Sequence, residues 1–161
     1  MPNKIIDIYN HSFGKHGFDY SQIDELVFIG TNMCCQFGFN RELLSKNVQA
    51  DISLEKDKID APAGVSYFLW LPTENDRAPT PDALSLGVQV LEFLINRKIK
   101  VYIHCKNGHG RAPTLYIAYL IKSGMGIDEA INFLKSKRPS IHINAFQMEA
   151  LNRFKDTIFS Q

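Results

Sequence analysis

Ile99-Lys100-Val101-Tyr102-Ile103-His104-Cys105-Lys106-Asn107-Gly108-His109-Gly110-Arg111-Ala112-Pro113 is the stretch that decides how this chain folds. It begins apolar, as a buried strand does, carries two glycines in its middle, and ends where Pro113 opens a helix-like run to Ser123. A strand, a glycine-bearing loop and a helix in that order aim successive backbone N–H groups into a concavity at the helix N-terminus. Such a concavity binds a tetrahedral dianion. Gly108 and Gly110 allow the loop dihedrals that other residues resist. Cys105 then lies beneath the anion, and Arg111, five residues beyond it, can hold two oxygens with its planar guanidinium. The chemistry this implies is phosphoryl transfer to a cysteine thiolate, followed by hydrolysis.

Other readings of the loop fail on residues. A nucleotide-binding phosphate loop ends Gly-Lys-Ser/Thr, whereas this one reads Gly110-Arg111-Ala112. A dinucleotide fingerprint needs a third glycine where Pro113 stands. Metal ligation by His104, Cys105 and His109 would need a fourth ligand and a spacing the glycine loop does not suggest. A buried cysteine is often only a small hydrophobe. Here Lys106, Asn107 and the glycines place it in electropositive, partly open surroundings that favour the thiolate.

Working outward, the 161 residues suit one domain over 1–161, with residues 1–22 an irregular N-terminal flap. Leu26–Gly30 reads as a buried strand and Arg41–Leu44 as a short helix. Val48–Leu54 alternates as a half-buried strand does, and Val65–Leu71 reads as a strand stopped by Pro72. Tyr67, Phe68 and Trp70 read as core. Pro81–Asn96 is helical, with apolar residues at Leu84, Val88, Leu91 and Ile95. Strand Lys100–His104 precedes the loop, and helices Pro113–Ser123, Ile127–Lys137 and Ala145–Phe159 follow it. Asn144 suits the N-cap of the last helix. Strands alternating with helices predict an α/β fold with a central, mostly parallel sheet of four to five strands flanked by helices. The site then falls at the carboxyl end of a strand.

Composition narrows the class. Hydrophobic content of 45% and charged content of 22% are those of an ordinary globular protein. A formal net charge of +1 argues against nucleic acid as partner. No apolar run approaches a membrane span, and no secretory signal pattern opens the chain. Three cysteines, with Cys34 and Cys35 adjacent, make no disulfide framework. A working thiol needs a reducing compartment, so the cytoplasm is expected.

His104-Cys105-x5-Arg111 resembles the signature loop of the cysteine-dependent phosphatases, in particular the small dual-specificity class. The resemblance extends over roughly Leu26 to Phe154. Lys106 after the cysteine also occurs in members acting on phosphorylated lipids, and Ala112-Pro113 resembles the plant glucan phosphatases. The stretch Pro79–Leu151, with Ser140-Ile141-His142-Ile143 and Gln147-Met148-Glu149-Ala150-Leu151, is similar to the mitochondrial phosphatidylglycerophosphate phosphatases. The resemblance implies a cysteine-phosphatase fold, with Cys105 as nucleophile and Arg111 as clamp. The phosphate cradle is then Lys106, Asn107, Gly108, His109, Gly110 and Arg111, and His104 fixes the loop. It also implies a carboxylic acid about thirty residues upstream. Asp76 stands 29 positions before Cys105 and Glu74 stands 31, and Asp76 is preferred for its residue type. The segment Arg138–Asn144 would buttress the loop.

Ala112 departs from the family, which mostly has Ser or Thr there to assist thiolate departure. Slow breakdown of the phosphoenzyme is therefore expected. The resemblance calls for no cofactor and no metal. It implies a monomer acting on a phosphorylated protein or on a small, lipid or glycan phosphate. Two alternatives stay open: a non-catalytic phosphate-binding module, and a thiol redox or arsenate-reductase-like enzyme using Cys34 and Cys35.

Overall fold

The structure, a computed structural model, describes residues 17–58 and 60–160. The expected irregular flap mostly lies outside them. Its described end, Tyr20–Gln22, is instead a strand, β1, paired antiparallel with β2 (Val27–Gly30). Three further strands, β3 (Val48–Glu55), β4 (Tyr67–Thr73) and β5 (Lys100–His104), complete a five-stranded sheet of order β1-β2-β5-β3-β4. All pairs but β1–β2 are parallel. Among the described residues five α-helices accompany it: α1 (Arg41–Ser45), α2 (Pro81–Asn96), α3 (Arg111–Lys122), α4 (Ile127–Lys137) and α5 (Ala145–Phe159). The architecture is α/β with a mostly parallel sheet, as the alternating pattern implies.

Alternation of side chains along a strand assigns the two faces. Val27, Ile29, Ile52, Leu54, Val101 and Ile103 meet the apolar faces of α2 to α5, where Leu84, Leu91, Leu115, Ile117, Leu134 and Leu151 are buried. Each such side chain contributes roughly 1.5–3 kcal/mol on leaving water. The opposite face carries Phe28 and Tyr102 and is covered by the segment running through Cys34, Cys35, Phe39 and Leu43. His104 continues the Tyr102 side of β5, in register with β3 through Asp51↔Tyr102 and Ser53↔His104.

Three expectations are corrected here. β3 is not half-exposed: Asp51, Ser53 and Glu55 are as buried as Ile52 and Leu54, because β3 is an interior strand. Its apolar–polar alternation instead separates two buried environments. Pro72 does not end β4, which runs on to Thr73. β4 is an edge strand, and a proline at a sheet edge need not break a ladder bond. On that edge Tyr67, Phe68 and Trp70 are exposed by 46%, 45% and 49% and are not core. The Trp70 indole instead donates to the Glu55 carbonyl at 2.6 Å.

Local signals set the helix ends. Asn40 caps α1 by accepting from the Glu42 and Leu43 amides. Thr80, ahead of Pro81, caps α2. Asn144 caps α5 in a reciprocal box with Gln147. Helix α3 begins at Arg111, two residues earlier than Pro113 suggests, so the loop runs straight into its first turn.

Candidate active site

The loop after β5 closes over a cavity of about 310 Å³ lined by Cys105, Asn107, His109, Gly110, Arg111, Asn75, Asp76, His142, Asn144 and Gln147. A larger groove of about 900 Å³ lies between α2 and α5, but it shares no lining residue with this cavity and contains no cysteine. The smaller cavity is the one that contains Cys105 and Arg111.

Backbone packing shapes the loop. Gly108 has φ +69°, and a Cβ there would stand 2.5 Å from the Gly30 carbonyl oxygen, so two glycine backbones meet where no side chain fits. Arg138, almost wholly buried, supports the loop from below. Its Nε donates to the Gly108 carbonyl (3.1 Å), and its Nη2 donates to the Asn107 carbonyl (3.0 Å) and to Asp19 Oδ2 (2.7 Å). The His142 amide donates to the His109 carbonyl at 3.0 Å. The Arg138–Asn144 segment therefore touches the loop as expected, chiefly through a guanidinium. The His109 and His142 rings meet edge-on at 5.9 Å on the cavity wall.

Arg111 is 3% exposed, and the ends of β3 and β4 fix it in place. Its Nη1 donates to the Thr73 carbonyl (2.8 Å) and the Leu54 carbonyl (3.4 Å), and its Nη2 donates to Asn75 Oδ1 (3.3 Å). Glu55 Oε1 lies 3.6 Å from Nη1. A guanidinium held this way by carbonyls and a buried carboxylate is pre-oriented.

The two candidate acids are separated by their surroundings. Asp76 lines the cavity in the left-handed region at φ +59°, which aspartate tolerates. Asn144 Nδ2 donates to its carbonyl at 2.9 Å, and Asn75 Nδ2 donates to its Oδ2 at 3.0 Å. Glu74 does not line the cavity. It pairs with Lys56 at 2.8 Å in the open, and the ammonium holds its carboxyl below the usual carboxylate range. Lys106 is exposed and outside the cavity lining, and its carbonyl accepts from the Asn32 amide at 3.3 Å.

His104 faces away from the cavity. Its wholly buried ring lies against Asp51 (Nε2–Oδ1 3.2 Å), Asp60 (Nε2–Oδ2 3.6 Å) and Cys35 Sγ (3.5 Å). Burial pulls its pKa down, but the Asp51 carboxylate and Cys35 outweigh this and hold it well above the ordinary value. Burial raises Asp51, only partly offset by His104. Asp51, Asp60, Glu55 and Asn75 were given no role by the sequence reading, and Gln147 entered it only as part of the resemblance. The acids at alternate positions of β3 were the available signal, but they read as the solvent face of a strand.

A cysteine beneath a glycine loop, at the carboxyl end of a central parallel strand and beside a pre-oriented arginine, is the arrangement of a phosphate-binding cysteine site. The chain belongs to the dual specificity phosphatase catalytic-domain family, whose model matches residues 40–157. Phosphatidylglycerophosphatase and protein-tyrosine phosphatase 1 of Mus musculus is 30% identical, over 86% of this chain and 77% of that protein. Protein tyrosine phosphatase type IVA 3 of Homo sapiens is 42% identical, over 63% of this chain and 56% of that one. The crystal structure of PTPMT1 superposes with a TM-score of 0.74 at 28% identity, covering 88% of this chain and 97% of that one. The chain spans about half the length of several of the curated relatives it matches.

Proposed function

We propose that this chain is a cysteine-dependent phosphatase that hydrolyses phosphomonoesters through a phosphocysteine intermediate, with no metal ion in the transfer itself. The observation that carries the reading is one cavity lined by Cys105, Arg111 and Asp76 together. Family membership supports it. The Cys105 thiolate attacks phosphorus while the loop amides and Arg111 hold the equatorial oxygens. As the P–O bond to the leaving group breaks, the Asp76 carboxyl gives that oxygen its proton. Water then attacks phosphorus, its proton passes to the Asp76 carboxylate, and the S–P bond breaks to return the thiolate and free phosphate. Stabilisation of this kind is mainly electrostatic and positional. His104 holds the end of β5 from behind and so positions Cys105 without touching substrate.

The substrate reading is a small or lipid phosphate ahead of a phosphoprotein. It rests on the similarity to phosphatidylglycerophosphatase and protein-tyrosine phosphatase 1, and on the superposition with PTPMT1 in complex with PI(5)P (TM-score 0.73, 27% identity). Among the described residues no helix is long and apolar enough to cross a membrane. A lipid substrate would thus be met at a surface. Ala112 favours a second reading, a module that keeps the cradle without turnover. The deciding experiment measures phosphate release from a phosphotyrosine peptide and from phosphatidylglycerophosphate in mixed micelles, with Cys105→Ser as blank. A higher kcat/KM on the lipid is expected. Release from neither substrate, with wild type equal to the blank, would favour the binding module.

A further inference from the structure

The face of the sheet opposite α2–α5 holds a second cluster of reactive side chains, of which the proposed phosphatase reaction uses only His104, and that as a positioning residue. Cys34 and Cys35 Sγ, an Asp51 carboxylate oxygen and a His104 ring nitrogen all lie within 4.8 Å of one another, and all four residues are buried. They come from three places: the 3-10 turn Asn32–Cys34 with the residue after it, the middle of β3, and the end of β5. Parallel pairing of β3 with β5 puts Asp51 and His104 on the same face, and the turn brings the cysteines over them.

As a purely organic cluster it is poorly satisfied. Neither oxygen of Asp51 and neither oxygen of Asp60 has a hydrogen-bond partner, although both side chains are at most 1% exposed. His104 Nε2 and Asp51 Oδ1 stand 3.2 Å apart as an ion pair, and both atoms face the same small space as the two sulfurs. The two sulfurs lie 2.6 Å apart, and Cys35 Sγ is also 3.5 Å from His104 Nε2, so the sulfurs and the imidazole face one small space. One imidazolium can balance only one of the two buried carboxylates. Buried charges are paired or coordinate metals, and a divalent cation supplies what this cluster lacks.

We propose that Cys34, Cys35, Asp51 and His104 bind a structural zinc ion behind the phosphate loop. Two thiolates, one imidazole and one carboxylate are the donor types zinc takes in closed tetrahedral sites. Zinc replaces the proton on His104 Nε2 and those on the two sulfurs, and drives the sulfurs apart to span the ion. Asp60, 3.6 Å from His104 Nε2, is a further oxygen within reach of the site. The ion ties the turn, β3 and β5 together directly beneath Cys105, so its role is to hold the base of the loop. It touches neither the cavity nor the reacting phosphoryl group.

The test uses the whole chain as purified, with cobalt(II) and zinc as probes. The chain has three cysteines, so Cys105→Ser leaves only the proposed pair. In that variant cobalt should give tetrahedral d–d bands and a charge-transfer band of two-thiolate intensity, and one equivalent of zinc should abolish both. Zinc should also raise the Tm of Cys105→Ser, and Asp51→Asn should weaken its binding at least tenfold. Cys34→Ser/Cys35→Ser, checked for folding by circular dichroism, should lose the charge-transfer band. Three results would overturn the proposal: no thiolate–cobalt band in Cys105→Ser, metal binding that needs Cys105 and survives loss of Cys34 and Cys35, or a Cys34–Cys35 disulfide that takes up no metal after reduction. If the double variant does not fold, the Cys105→Ser spectrum alone decides.

Discussion

Asn144 Nδ2 donates to the main-chain carbonyl of Asp76 at 2.9 Å, while the same residue's Oδ1 accepts from the Gln147 amide and caps α5. One side chain thus ends a helix and holds the loop that carries the candidate acid. Asn144→Asp keeps an N-cap acceptor but removes the donor to Asp76. Its Tm should stay near wild type while kcat falls about tenfold, the effect of a small misplacement of a catalytic group. Asn144→Ala should lose both functions and about 1 kcal/mol of stability. Thermal melts beside steady-state kinetics would separate the two roles. Equal stability losses in the two variants would show that the Nδ2 bond to Asp76, not the cap, carries the stability, and an unchanged kcat in Asn144→Asp would show that the side chain matters only as a cap.

Asp76 and Glu74 should respond differently to removal of their charge. A proton donor must hold its proton near working pH. Glu74 is poorly suited, because Lys56 holds its carboxyl below the ordinary range. By linkage a lowered carboxyl stabilises the fold above its unfolded pKa and loses that contribution as pH falls through its folded pKa. For so exposed a pair the effect is small. Asp76→Asn should lower kcat about 100-fold on alkyl phosphates, and less on aryl phosphates whose leaving groups need no proton. Glu74→Gln should leave both rates unchanged. An unchanged kcat on alkyl phosphates in Asp76→Asn would remove Asp76 from the mechanism.

Gly108 and Gly110 look alike in the motif but differ in the fold. An alanine at Gly108 would meet rigid Gly30 backbone from a left-handed φ, a conformation that alone costs roughly 1–3 kcal/mol. At Gly110 the nearest obstacle is the end of the flexible Gln147 side chain, at 2.8 Å. Gly108→Ala should therefore abolish tungstate or phosphate binding by calorimetry, and Gly110→Ala should weaken it by less than tenfold.

The loop and its flanking strand and helix could be read from the chain because their chemistry is local: β5 and α2 fall at the expected residues. The partners of the loop could not. Arg111 rests on Thr73, Leu54 and Glu55, and Arg138 on Asp19 and Gly108, contacts set by a parallel sheet whose strands are far apart in sequence. Asp51 and Glu55 were the most misleading, because polar residues at every second position of a strand normally face water. Only the interior place of β3 reveals that both of its faces are covered. The exposed Trp70 is the converse case, an aromatic on an edge strand whose indole serves a backbone carbonyl.

Glu55 offers a direct test of how Arg111 is held. Its carboxylate lies 3.6 Å from Nη1, both side chains are buried, and Glu55 Oε2 also accepts from Asn32 Nδ2. Breaking a buried pair leaves the other charge uncompensated, at about 3 kcal/mol. Glu55→Gln should lose about that much stability in denaturant melts, with a rise in KM as the guanidinium becomes mobile. Arg111→Lys keeps the charge but not the planar fork, and should lower kcat by roughly 100-fold or more.

Ala112 bears on the second half of the reaction. It is fully buried in the first turn of α3, one residue after the clamp, where it offers no hydroxyl to the departing thiolate. The nearest hydroxyl in sequence, Thr114 Oγ1, donates to the Gly110 carbonyl at 2.8 Å and is committed to the helix. Formation of the phosphocysteine should therefore outrun its hydrolysis. Rapid quench with an aryl phosphate should give a burst approaching one released phenol per Cys105, with phosphate following only in the slow turnover. Ala112→Ser should raise kcat severalfold and shrink the burst, with kcat/KM nearly unchanged because that ratio reports steps up to the first irreversible one. A wild type without a burst would place the slow step at or before thiolate attack, and Ala112→Ser would then bring no gain.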